Sequence, residues 1–226
     1  MSLTNEVSYQ WLHFVYRINC FALNINDPFS VFPGLLSRRE GIALFKLARS
    51  LPDSGLMVEI GCYAGLSTAF LLEGAKKNKA FLYSMDPFDS ELQSQLQDAT
   101  NFTVNTKKVD LHTVEMRLKR HGLENFLLIQ GFSFDIVQQW DKAIHLLWID
   151  GNHEYESVRY DYLRWEPFIY RDGIIAFHDS NQRVPNEGWT RYGWPGPTRL
   201  VNEFLKAPKW KDVCRVDSIT YATKVF

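Results

Sequence analysis

Short apolar runs alternate with helical spacings along most of the chain. Leu56-Met57-Val58-Glu59-Ile60 is the first run, closed by Gly61, and residues 66–76 then read as a helix. Phe81-Leu82-Tyr83-Ser84-Met85 stops at Asp86-Pro87, and Leu111, Val114 and Leu118 recur at helical spacing within residues 110–121. Phe126-Leu127-Leu128-Ile129-Gln130 is closed by Gly131, and Ile144-His145-Leu146-Leu147-Trp148-Ile149 runs into Asp150-Gly151. Residues 155–170 predict a helix with Val158, Tyr162, Trp165 and Ile169 on one face, before a fifth run, Gly173-Ile174-Ile175-Ala176-Phe177, meets His178-Asp179. Nearly continuous apolar strands separated by helices predict a parallel sheet covered on both faces. The tail changes character. Residues 212–216 and 219–225 alternate as two strands with only Asp217-Ser218 between them, which predicts a hairpin.

The first 50 residues are helical in tendency, most clearly over 38–50, and predict a helical cap that depends on the remainder, residues 51–226, for its stability. Lys and Arg total 25 against 26 Asp and Glu, a net charge of -1, which argues against a nucleic-acid partner because neutralising phosphates takes clustered cations. Cys20, Cys62 and Cys214 are odd in number and lack CxxC spacing, so neither a disulfide framework nor a zinc site is expected and a reducing cytoplasm fits better. The most apolar early stretch, residues 9–25, is broken by His13, Arg17 and Asn19, so no membrane span is expected there.

In an open parallel sheet, ligands bind outside the carboxyl ends of the strands. Those ends carry Glu59-Ile60-Gly61-Cys62-Tyr63-Ala64-Gly65, Asp86, Gly131-Phe132-Ser133, Asp150 and His178-Asp179. Turn chemistry accounts for the glycines; it accounts less well for acids at three exits, since clustered carboxylates repel without a cation or hydroxyls. Gly61 and Gly65 let backbone approach a ligand and open a helix whose first N–H groups face it, with the Ser67 and Thr68 hydroxyls close by. Glu59 precedes the glycines, where it suits a cationic amine or a hydroxyl. Asp86 lies at the distance expected of a ribose-binding acid.

Val58-Glu59-Ile60-Gly61-Cys62-Tyr63-Ala64-Gly65-Leu66-Ser67-Thr68 resembles the first motif of class I S-adenosylmethionine-dependent methyltransferases, in the form carried by catechol-type and macrocin-type O-methyltransferases. Trp148 to Tyr155, then Asp161, then Gly173 to Asp179, and Gly196-Pro197-Thr198-Arg199, resemble the type 24 family in the same order, over residues 51–205. That family includes cephalosporin-hydroxylase-like members. The resemblance implies a Rossmann-like, doubly wound sheet of seven mostly parallel strands. It implies that Glu59, Gly61, Tyr63 and Gly65 surround the methionine part of S-adenosylmethionine, that Asp86 meets the ribose, that Ser133 lies near the adenine, and that Asp150 faces the reacting centre.

The catechol-type resemblance also implies a magnesium ion held by Asp150 and Asp179, although Ser180 stands where a further Asp or Asn ligand is usual. His153 takes the place of the base that deprotonates the acceptor; the plainer reading is a helix cap or a cleft residue. His178 is either a base or a residue that orients Asp179. Trp189, Tyr192 and Trp194 cluster in a Gly/Pro-bearing loop, residues 183–197, and fit an acceptor lid or contacts in a homo-oligomer. The expected activity is methyl transfer to a hydroxyl of a small molecule, a sugar or a natural product. The alternatives are a non-catalytic, cofactor-binding regulatory protein on the same fold and a cephalosporin-hydroxylase-like protein.

Overall fold

The structure, a computed structural model, describes residues 3–89, 109–182 and 193–226. Seven strands form one sheet: β1 (Leu56–Ile60), β2 (Phe81–Asp86), β3 (Phe126–Gln130), β4 (Ile144–Ile149), β5 (Ile169–Phe177), β6 (Trp210–Val216) and β7 (Ile219–Lys224). Their order is β3-β2-β1-β4-β5-β7-β6. The first five are parallel, and β7 runs antiparallel between β5 and β6. The chain order reverses between β1 and β4, so the carboxyl ends of these two strands flank the crevice where such sheets bind ligands.

The helices are α1 (Leu3–Leu23), α2 (Arg38–Arg49), α3 (Leu66–Ala75), α4 (Leu111–Arg120), the one-turn α5 (Ser133–Ile136), α6 (Tyr155–Trp165) and α7 (Pro195–Phe204). Every residue of α3 is buried, because the helix is sandwiched between the sheet and α2. Two glycines permit that contact: Gly41 lies against the Phe70 ring and Gly74 against the Phe45 carbonyl. Leu44, Phe45 and Ala48 of α2 therefore share a core with Met57 of β1 and Phe70 of α3. The opposite face of the sheet packs Val58, Leu147, Ile149 and Phe177 against Tyr162 and Trp165 of α6 and Leu200 of α7. Among the described residues no helix is long and apolar enough to cross a membrane.

Three predicted boundaries move. The helix expected over 155–170 ends at Trp165, because Pro167 in the 3-10 turn Glu166–Phe168 cannot continue it. Ile169 accordingly leaves the predicted helix face and opens β5. The loop expected over 183–197 already turns helical at Pro195, whose ring suits the first helical position. The hairpin strand expected from 212 begins at Trp210, whose buried ring anchors it.

Candidate functional site

The turn after β1 is built by backbone. Gly61 has φ +85, and a Cβ there would fall 2.2 Å from the Asp150 carbonyl oxygen, so only glycine lets the ends of β1 and β4 come this close. Gly65, at φ +90, caps α3 in the left-handed region. Asp86, at the end of β2, braces the same turn: its Oδ2 accepts the N–H groups of Cys62 at 3.1 Å and Tyr63 at 2.9 Å, while Oδ1 accepts that of Phe88 at 2.8 Å. Burial raises the Asp86 pKa against the pull of these donors.

Glu59 is fully buried, and both its oxygens are engaged from within. Ser67 donates at 2.6 Å, Thr68 at 2.7 Å and Ser84 at 2.6 Å. Desolvation pushes its pKa up to about 7, with the three hydroxyls opposing the rise. The Ser67 and Thr68 hydroxyls, expected to face a ligand, thus point inward and tie the first turn of α3 to β1. Ser133, opening α5, donates to the Asp161 carboxylate of α6. Burial carries Asp161 up to about 6.

Asp150, His153, His178 and Asp179 converge from the carboxyl ends of β4 and β5. His178 Nδ1 is 3.1 Å from Asp150 Oδ1 and 3.5 Å from Asp179 Oδ2. His153 Nε2 is 3.2 Å from the same Asp179 oxygen and 3.9 Å from Asp150 Oδ1. Asp179 sits in the left-handed region at φ 49, an uncommon conformation for a residue with a side chain. Burial would raise its pKa, but the two imidazoles and the Gly193 N–H hold it below the usual range. Burial would depress His178; Asp150, Glu40 and Asp179 instead carry it well above. Ligand atoms of Asp150, His153 and Asp179 lie within 4.8 Å of one another, and His153 Nε2 is buried without a hydrogen bond. The two acids, with either His153 or His178 Nδ1 as the nitrogen donor, fit a divalent cation. Ser180 does not complete the set: its hydroxyl bonds the Phe177 carbonyl at 3.0 Å, and Asn181 bonds the Asp217 carbonyl at 2.7 Å.

A family model described as a methyltransferase domain, the type 24 family, matches residues 58–180, which span both the glycine turn and the Asp–His cluster. The chain belongs to that family. The family and the fold are those of class I, S-adenosylmethionine-dependent methyltransferases. An uncharacterised protein of Acanthamoeba polyphaga mimivirus is 28% identical over 160 residues, 70% of this chain but only 64% of that protein. Among solved structures, a candidate O-methyltransferase from Klebsiella pneumoniae superposes with a TM-score of 0.65 at 16% identity, covering 96% of this chain and 99% of that one. An S-adenosylhomocysteine-bound methyltransferase from Podospora anserina gives 0.62 at 15%, covering 99% and 97%. An rRNA methylase from Streptococcus thermophilus gives 0.55 at 15%, covering 85% and 100%.

Two features of the candidate site are not legible in the sequence. Glu40, from α2, lies beneath the cluster: its Oε2 is 3.7 Å from His178 Nε2, while its Oε1 accepts from the Ser218 N–H at 2.8 Å and hydroxyl at 2.6 Å. The only sequence signal was Ser37-x-x-Glu40, which reads as a capping box and is one. Trp194, expected in an acceptor lid or in contacts of a homo-oligomer, stacks on the His153 ring at 5.2 Å and 12°. Trp189 and Tyr192 lie outside the described residues.

Proposed function

We propose that this methyltransferase moves the methyl group of S-adenosylmethionine to a hydroxyl oxygen of a small molecule, a sugar or a natural product, with a divalent metal assisting. The observation that carries this reading is the Asp150–His153–His178–Asp179 cluster directly beside the glycine turn, with the Asp150 backbone against Gly61. Gly61, Tyr63 and Gly65 would border the methionine part of the cofactor, with Asp86 toward the ribose and Ser133 toward the adenine. Glu59, Ser67 and Thr68 would hold that turn from beneath rather than touch the ligand.

Methyl transfer from a sulfonium is an in-line displacement. The acceptor oxygen forms its bond to the methyl carbon as the carbon–sulfur bond breaks, and the sulfur leaves as a neutral thioether. Positioning supplies much of the acceleration. A hydroxyl acceptor must also lose its proton, and the His153 imidazole is the group to take it. His153 keeps 24% of its side chain exposed, open to an incoming acceptor, whereas His178 keeps 6%. Trp194 fixes the His153 ring plane, and Asp179 at 3.2 Å steadies the imidazolium that forms. A cation held by Asp150 and Asp179 would supply Lewis acidity toward the acceptor oxygen.

Calorimetric titration with S-adenosylhomocysteine tests the cofactor half: micromolar binding is expected, and its absence from a folded sample would overturn the reading. His153→Ala is expected to keep that binding and lose at least a hundredfold in turnover with a hydroxylated acceptor. Near-normal turnover would remove His153 from the mechanism.

A further inference from the structure

The magnesium ion implied by resemblance is a hard ion that favours oxygen ligands and keeps several waters. The cluster in this chain is not an oxygen set. His178 Nδ1 faces the gap between the two acids, 3.1 Å from Asp150 Oδ1 and 3.5 Å from Asp179 Oδ2, while the Ser180 hydroxyl donates to the Phe177 carbonyl and the Asn181 amide nitrogen to the Asp217 carbonyl. The opposite nitrogen of the same ring, Nε2, is buried, lacks a hydrogen bond and looks toward Glu40 Oε2 at 3.7 Å. A carboxylate behind the far nitrogen is the usual support of a metal-binding imidazole; Glu40 stands on that side and at 3.7 Å supplies its charge rather than a hydrogen bond. Glu40 is itself immobilised by Ser37 and Ser218, so the support is rigid.

We infer that the metal centre of this methyltransferase is a one-nitrogen, two-carboxylate site, Asp150–His178–Asp179, that selects a first-row transition ion such as manganese(II) over magnesium. The inference rests on the proposed metal-assisted reading and adds the third ligand and the class of ion. Imidazole and carboxylate donors together bind first-row ions in the rising order from manganese onward, and imidazole suits them better than it suits magnesium. The two histidines then divide the work. His178, on the closed side beside Glu40, holds the ion; His153, on the open side beneath Trp194, stays free as the base.

The test uses the full-length protein without cofactor or acceptor, so its outcome is independent of methyl transfer. Manganese(II) is titrated and followed by electron paramagnetic resonance, with pulsed measurements of nitrogen coupling to the bound ion. The wild-type protein is expected to bind manganese(II) with imidazole-nitrogen coupling and to retain it against a hundredfold excess of magnesium. His153→Ala is expected to keep the coupling, and His178→Asn to lose it together with at least a tenfold loss of affinity. Should His178→Asn fail to fold, wild type and His153→Ala alone still decide. Bound manganese(II) without nitrogen coupling, coupling that vanishes in His153→Ala, no manganese binding, or ready displacement by magnesium would each overturn the inference. Failure of the methyl-transfer reading would show separately, as absent binding of S-adenosylhomocysteine.

Discussion

Glu59 is an acid in a dry site, held by three hydroxyls and no cation among the contacts described. Its pKa near 7, against an ordinary value of 4.5, means the folded chain binds its proton more tightly than the unfolded chain does. The stabilisation from that proton is complete below about pH 4.5 and is lost as the pH rises through 7, a contribution on the order of 3 kcal/mol. Glu59→Gln should therefore flatten the stability profile between these limits, checked by urea unfolding at several pH values; an unchanged slope would contradict the assignment. Gly61 is constrained in a different way. Gly61→Ala adds a Cβ 2.2 Å from the Asp150 carbonyl at φ +85, so either β4 or the turn must move. Affinity for S-adenosylhomocysteine should fall at least tenfold, with a lower melting temperature. Both residues stand out in the sequence, but their roles differ in legibility. The glycine spacing announces a tight turn; whether Glu59 meets a ligand or three hydroxyls depends on strands 25 residues apart, since Ser84 reaches it from β2.

At the scale of elements, α2 does more than cover the sheet. Its capping box orders the first turn, and the same Glu40 clasps Ser218 in the β6–β7 turn and backs His178. Arg39 adds a surface pair with Asp217 at 2.8 Å. Glu40→Ala would leave the buried Ser218 N–H and His178 Nε2 facing no carboxylate, so a loss of about 2–4 kcal/mol is expected in urea unfolding. Arg39→Ala, on the exposed rim, should cost under about 1 kcal/mol. Strand positions were legible because each apolar run is bounded by Gly, Pro or Asp. The end of α6 was less so: Val158, Tyr162, Trp165 and Ile169 keep helical spacing, and only Pro167 signals that the last of them belongs to β5. Periodicity continues through a break that backbone chemistry does not allow.

At the scale of the whole molecule, fold neighbours include an rRNA methylase, yet the charge balance of 25 cations to 26 anions offers little for a phosphate backbone. Filter binding with an rRNA fragment at 150 mM salt should give a dissociation constant no tighter than about 1 µM, the tight limit of non-specific binding; submicromolar binding would redirect the search for an acceptor from small molecules to RNA. The sequence by itself determined the parallel sheet, its antiparallel tail and the family, because apolar runs, glycine turns and the ordered motifs are local signals carried by consecutive residues. It also marked which acids and histidines end the strands. Only the tertiary structure decided which of them meet. The register of β4 with β5 pairs Ile149 with Phe177, so the two following segments emerge side by side and bring Asp150, His153, His178 and Asp179 within a few ångströms. Glu40, 138 residues before His178, reaches it only because two glycines let α2 settle onto α3. Contacts between residues so distant depend on packing and burial, which no local pattern encodes.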